Sequence, residues 1–163
     1  MIRVLRDMPE AHAVLMGGVG DKFQDFANDL QHDIKIANLS DRFRILPEAP
    51  DFQITQYFQA LDLYVAPQRW EGFGLTPLEA MSCGLPVIAT RVGAFEDIVE
   101  DGVTGTLVNT EDPQAIASAA LRVLGDADIY MSQSRAARAR ADALFRLENE
   151  AQQILTIYRD LLA

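Results

Sequence analysis

An α/β fold, with a parallel sheet flanked by helices and an all-helical C-terminal tail, is predicted by three features of this 163-residue chain. Short β-rich apolar runs alternate with longer segments of helical period as far as Asn109, the pattern of successive βα units. Several of those runs are apolar on both faces, as buried parallel strands are. Past Asn109 the strand-like runs stop and helical periodicity continues alone.

The first strand is read in "HAVLMG", His12 to Gly17. A capping-box pair, Asp21 and Gln24, then opens a helix with Phe23, Phe26, Ala27 and Leu30 on one face. "RFRILP", Arg42 to Pro47, is the second strand, and a second helix follows Asp51. "LYVAP" (Leu63 to Pro67), "PVIAT" (Pro86 to Thr90) and "TLVN" (Thr106 to Asn109) complete the sheet. The tail reads as three helices, "PQAIASAALRVL", "ADIYMSQSRAARARADAL" and "LENEAQQILTIYRDLLA", with Pro113 suited to the first turn of the first. No repeat or Ser/Gly linker divides the chain, so residues 1–163 are expected to form one domain. Its opening, "MIRVLRDMPE", resembles the end of a helix with no strand to feed it, which is the pattern of a piece of a longer parent.

Composition removes several function classes. A formal charge of −10 leaves little basic surface for phosphate contacts along a nucleic acid. No apolar run approaches the roughly 20 residues of a spanning helix, and the start lacks a signal-peptide apolar core, so a cytoplasmic location is expected. Cys83 is the only cysteine, which excludes an internal disulfide and a cysteine-rich metal site. His12 and His32 are the only histidines and no serine occupies a G-x-S-x-G elbow, so both are read as structural and no metal or cofactor is expected.

In a parallel α/β sheet ligands bind beyond the carboxyl ends of the strands, which makes the loops after Gly17, Pro47, Pro67 and Thr90 the candidate site wall. The third loop carries "EGFGLTPLEAM", Glu71 to Met81. Thr76 as N-cap, Pro77 at the first helical position and Gly84 just past the end would bound a short helix. Its start gathers free N–H groups and the positive end of the helix dipole, a suitable place for phosphate, and Gly72 and Gly74 let the backbone approach a ligand. Carboxylates would repel that phosphate, so Glu71 and Glu79 are read as acceptors for neutral sugar or ribose hydroxyls. "TPLE" is also a capping box, and that structural role for Glu79 stays open beside the binding role. Elsewhere, "GGVGDK" (Gly17 to Lys22) lacks the third glycine of a dinucleotide fingerprint and reads as a turn lining the same rim. Trp70, Phe73 and Cys83 are expected to pack, and Arg135, Arg138, Arg140 and Arg146 to form a solvated helix face.

The stretch "APQRWEGFGLTPLEAMSCGLPVIATRVGAFEDIVEDGVTGTLV" resembles the donor-binding half of family 4 retaining glycosyltransferases, whose E-x7-E motif it carries. The similarity extends from "AHAVLMGGVGD" through "RFRILPEAPD" to the closing "IYRDLL". "PEAPDF" followed by "LYVAPQRWEGFGLTPLEAM" is most similar to α-proteobacterial lipopolysaccharide core mannosyltransferases, which use GDP-mannose. The resemblance implies a Rossmann-like C-terminal half of a GT-B fold. It implies that Glu71 faces the donor sugar, that the Gly72, Phe73, Gly74 and Leu75 backbone with Thr76 meets sugar hydroxyls and phosphate, and that Glu79 holds the ribose. Leu46 and Pro47 would border the base and Gly18 would lie beside the nucleotide.

The implied partners are a nucleotide diphosphate sugar and a glycan or lipid-linked acceptor, with at most peripheral contact to the inner membrane. The implied reaction is hexose transfer with retention, the departing diphosphate assisting deprotonation of the acceptor. The family's diphosphate-clamping G-R…K-G segment and its acceptor-binding N-terminal domain have no counterpart in these residues, so the isolated chain is expected to be inactive. Arg69 and Arg91 are candidates to replace part of that clamp. Two other readings stand beside this one: half of a GT-B-like nucleotide-sugar epimerase, and a non-catalytic nucleotide-binding module.

Overall fold

A computed structural model describes residues 1–18, 20 and 24–162. The backbone forms two compact units, Met1–Gln56 and Tyr57–Ala163. The first contains α1 (Ile2–Asp7), β1 (Ala13–Met16), α2 (Gln24–Ile36) and β2 (Phe43–Leu46). α3 (Asp51–Gln59) carries the chain into the second, which contains β3 (Tyr64–Ala66), α4 (Leu75–Ser82), β4 (Val87–Thr90), α5 (Phe95–Ile98), β5 (Gly105–Val108), α6 (Pro113–Gly125), α7 (Ala127–Leu144) and α8 (Leu147–Leu162). All five predicted strands are present, and every pairing between them is parallel. They form two ladders, β1-β2 and β3-β4-β5.

In the first unit Ala13 pairs with Phe43 and Met16 with Leu46, so the two strands end together. The core beside them is Leu5, Ala13, Ile34, Leu39 and Phe43, with Leu30 packed against it. The buried line of α2 is therefore Ala27, Leu30 and Ile34, a spacing of three and four residues. Phe26, expected on that face, is 67% exposed, because the face turns one position away from it. Asp21 and Phe23, the other expected members of this helix start, lie outside the described residues. Val14 and Leu15 point to opposite faces of β1 and both are exposed, so only Ala13 of this strand is fully buried.

The second unit has the two-sided strand. β4 lies between β3 and β5 and all four of its residues are buried. α4 packs on β3 and β4, α6 on β4 and β5, and α7 against both helices. α6 begins as its sequence predicts: the Asp112 carboxylate accepts from the Ala115 N–H at 2.8 Å, and Pro113 occupies the first turn, where no intrahelical donor is needed. Arg135 and Arg138 of α7 are exposed, as the solvated face expects, whereas Arg140 is drawn in, and Arg138 and Arg140 also tie to backbone carbonyls. Arg138 donates to the Ser82 carbonyl at 2.5 Å. Arg140 donates to the Ile98 and Asp97 carbonyls at 2.9 and 2.7 Å, satisfying orphan acceptors at the end of α5.

Candidate functional site

β3 ends at Ala66, and the next eight residues deliver the chain to α4. Thr90, buried at the end of β4, anchors that passage from below: its hydroxyl donates to the Gln68 carbonyl at 2.5 Å. Gly93 anchors it from the side. This glycine has φ +49°, and a Cβ there would lie 2.0 Å from the Glu71 carbonyl oxygen, so the β4–α5 turn rests directly on the Glu71 backbone. Sequence reasoning missed Gly93. Its signal is only a glycine three residues past a strand, and the contact that requires it is long-range.

The helix starts two residues earlier than its sequence predicts. Gly74, with φ +90° and ψ 48°, is the N-cap, and no side chain caps the turn. Thr76 is therefore not the N-cap, "TPLE" is not a capping box, and Glu79 lies a full turn inside the helix. The reason is tertiary: a Cβ on Gly74 would meet the Phe95 ring at 2.8 Å and Ile98 at 3.2 Å. Only glycine combines that left-handed turn with that contact. Pro77 is still tolerated, because amides of the first turn have no intrahelical acceptor. The far end is as expected. Gly84, at φ +80°, donates to the Met81 carbonyl at 2.9 Å while Leu85 donates to Ala80 at 3.0 Å, the paired bonds of a Schellman cap.

Glu71 is half-buried, and its Oε1 accepts from the Gly72 and Phe73 N–H groups at 2.9 and 3.3 Å. Those two amides, expected to meet a ligand, are thus held first by the carboxylate beside them. Thr76 and Glu79 are exposed and three residues apart on one helix face. Between them and the sheet stands Tyr64, whose ring meets Phe58 edge-on at 5.6 Å. Burial pushes the Tyr64 phenol above its ordinary range, a hydrogen bond with the Thr76 side chain opposes this, and the Glu79 and Glu71 carboxylates add to the rise. Both carboxylates of the motif are therefore felt at one phenol. Tyr64 is a further member of the site that sequence reasoning passed over, because it reads as an ordinary strand residue.

Trp70 and Phe73 do not pack as expected: they are 81% and 58% exposed. Cys83 is only partly buried, and burial raises its thiol further from the reactive range, the nearby Arg138 notwithstanding. Arg69 pairs with Glu111 at 3.0 Å, and Arg91 pairs with Asp101 and, at 3.9 Å, with Glu96. Both candidate replacements for the phosphate clamp already hold carboxylates.

The structure brings together Glu71, Gly72, Phe73, Gly74, Leu75, Thr76 and Glu79 in the second unit. Gly18, Leu46 and Pro47 gather at the strand ends of the first, where Gly17 donates to the Leu46 carbonyl at 3.2 Å. A Cβ on Gly18 would face the Glu48 carboxylate at 3.6 Å, an environment that suits a hydroxyl better than a phosphate. Val19, Asp21 and Lys22 of the glycine-rich turn lie outside the described residues.

Residues 1–140 match the family described as Glycosyl transferases group 1, and the chain belongs to that family. It is 38% identical over 164 residues to the lipopolysaccharide core biosynthesis mannosyltransferase LpsB of Rhizobium meliloti, matching 99% of this chain and 46% of that protein. Against the corresponding LpcC of Rhizobium leguminosarum bv. viciae it is 39% identical, again over 99% of this chain and 46% of the relative. The chain thus spans a little under half the length of these relatives. Among solved structures, Anabaena HepE in complex with UDP superposes with a TM-score of 0.91 at 29% identity, over 98% of this chain and 44% of that one. The C-terminal domain of a glycosyl transferase group 1 family protein, LpcC of Francisella tularensis, gives 0.84 at 29% identity over 90% and 75%. The fold is that of a GT-B C-terminal domain, parallel α/β layers with a terminal helix.

Proposed function

We propose that this chain is the nucleotide-sugar-binding part of a retaining hexosyltransferase, with GDP-mannose as donor and a glycan or lipopolysaccharide core as acceptor. The observation that carries the reading is the turn from Glu71 to Glu79: an uncapped helix start on a left-handed glycine, with a carboxylate on either side of it. The family membership and the mannosyltransferases among its relatives support the same reading. HepE is a neighbour solved with UDP and with UDP-glucose, which supports a nucleotide sugar as the ligand class.

In this account the diphosphate lies at the start of α4, where the dipole and first-turn amides of Leu75 and Thr76 favour negative charge. Those groups then stabilise the charge that grows on the diphosphate as the glycosidic bond breaks. Glu71 stays anchored through Oε1 to the Gly72 and Phe73 amides and turns its other oxygen toward a hydroxyl of the transferred sugar. It orients the sugar and offsets positive charge developing at the anomeric carbon; it is not assigned as a nucleophile. Glu79 accepts from the ribose hydroxyls. No metal is required by this scheme.

Positioning carries much of such a reaction, and a mispositioned group at about 1 Å costs on the order of a hundredfold. With Arg69 and Arg91 committed to carboxylates, the 163-residue chain by itself binds donor and does not transfer it. Among the described residues no helix is long and apolar enough to cross a membrane, and we place the protein in the cytoplasm, with peripheral contact to the inner membrane through its parent. Calorimetric titration of the longer parent with GDP-mannose and UDP-glucose tests the reading. It expects saturable binding that Glu79→Gln weakens about tenfold, a charge-assisted bond's worth; an unaffected Glu79→Gln variant would remove the ribose role.

A further inference from the structure

Trp70 immediately precedes Glu71 and is 81% exposed, although an indole is among the most strongly apolar surfaces a protein can bury. It is not alone: Phe73 is 58% and Leu75 61% exposed, so three large exposed apolar side chains fall within the six residues 70–75 that include Glu71. The buried side of the same segment is supplied by Gly74, Pro77, Ala80 and Met81, so the apolar residues at 70, 73 and 75 are not needed for its packing. The Trp70 ring also has a definite place. Its outer edge lies 3.8 Å from the position a Cβ on Gly72 would take, so the indole stands beside the backbone whose amides hold Glu71.

An apolar ring next to a carboxylate matches a ligand with an apolar face and a hydroxylated edge. A pyranose has that form: its C–H groups make one face and its hydroxyls the rim. A purely apolar partner surface would have to desolvate Glu71 without supplying donors to it, at a cost of several kcal/mol per uncompensated charge. We propose that Trp70 is a stacking platform for a pyranose ring, with Glu71 receiving a hydroxyl of the same sugar. This rests on the donor reading above and adds to it the residue that distinguishes a sugar-bearing ligand from a bare nucleotide.

Trp70 is the only tryptophan in the chain, so all indole emission reports on it. The test is acrylamide quenching and emission wavelength of the 163-residue chain with GDP, UDP, GDP-mannose and UDP-glucose, binding being followed separately by calorimetry. The platform predicts that a nucleotide sugar shields the indole and shifts its emission to shorter wavelength, while the nucleotide alone binds without doing so. Trp70→Ala then loses about tenfold in affinity for the sugar-bearing ligand, and Trp70→Phe recovers most of it. Shielding that appears only when a mannose-terminated oligosaccharide is added to the nucleotide-bound chain assigns the platform to the acceptor sugar.

Binding of nucleotide sugar with unchanged quenching, with and without oligosaccharide, and an indifferent Trp70→Ala overturns the platform and leaves the donor reading standing. An indole already shielded in the longer parent before any sugar is added makes Trp70 an interface residue, and also overturns it. Calorimetry showing no binding of any of the four compounds by the parent removes the donor reading and the platform with it.

Discussion

Replacing Gly93 by alanine separates two costs that the structure predicts to add. The first is conformational: φ +49° is left-handed, and a Cβ there costs about 1–2 kcal/mol. The second is a collision. The new Cβ would lie 2.0 Å from the Glu71 carbonyl oxygen and 3.0 Å from its carbonyl carbon, about 1 Å inside any tolerable approach. Backbone lies on both sides, so no flexible side chain can yield, and overpacking of this kind costs about 1–3 kcal/mol.

Gly102 supplies the control, because it has φ +79° and nothing within 4 Å of its Cβ position. Urea denaturation should place Gly102→Ala about 1 kcal/mol below the parent sequence and Gly93→Ala a further 2 kcal/mol or so below that. Where the Gly93→Ala protein folds, the 71–74 turn has moved by about 1 Å to admit the methyl group, and nucleotide-sugar affinity should fall well beyond what the stability loss explains. Equal stability of the two variants, with donor affinity intact, would show that the β4–α5 turn does not brace Glu71.

Three further outcomes follow from the same geometry. Glu79→Gln should weaken nucleotide binding about tenfold, by more than any accompanying change in chemical denaturation explains. Thr90→Val should cost about 1–3 kcal/mol in chemical denaturation, because the part-buried Gln68 carbonyl loses its hydroxyl donor. The Tyr64 phenol titrates higher in the folded chain than its unfolded value near 10, so its contribution is fully present below about pH 10 and is lost as pH rises through the folded value. Alkaline unfolding of Tyr64→Phe should therefore show a shallower decline, reduced and not abolished because burial also raises Tyr130.

The strands and the long helices were legible because each carries its own signal: a short β-branched run, a helical stripe, an Asp-Pro start. Their ends fall within a residue or so of the apolar limits. α5 was not legible, since four residues are too few to show a period. The start of α4 was misread by two residues because Thr76 and Pro77 look like a cap, whereas the turn is fixed at Gly74 by Phe95 and Ile98 some twenty residues on. The ties made by Arg138 and Arg140 were not legible because their acceptors, the carbonyls at Ser82, Asp97 and Ile98, are backbone atoms present in every sequence. Within the candidate site the motif residues were legible by type and spacing. Their arrangement was not: that Glu71 takes the amides of its own neighbours, that Tyr64 lies against Thr76, and that Trp70 points to solvent are all matters of side-chain direction.

Isotope-edited NMR of the 163-residue chain titrated with GDP-mannose and with UDP-glucose tests the central claim most directly. The account predicts saturable shifts of the Gly72, Phe73, Gly74, Leu75 and Thr76 amides, larger for one donor than the other. A folded, well-dispersed spectrum in which those five amides stay fixed at donor concentrations that saturate the longer parent would contradict it.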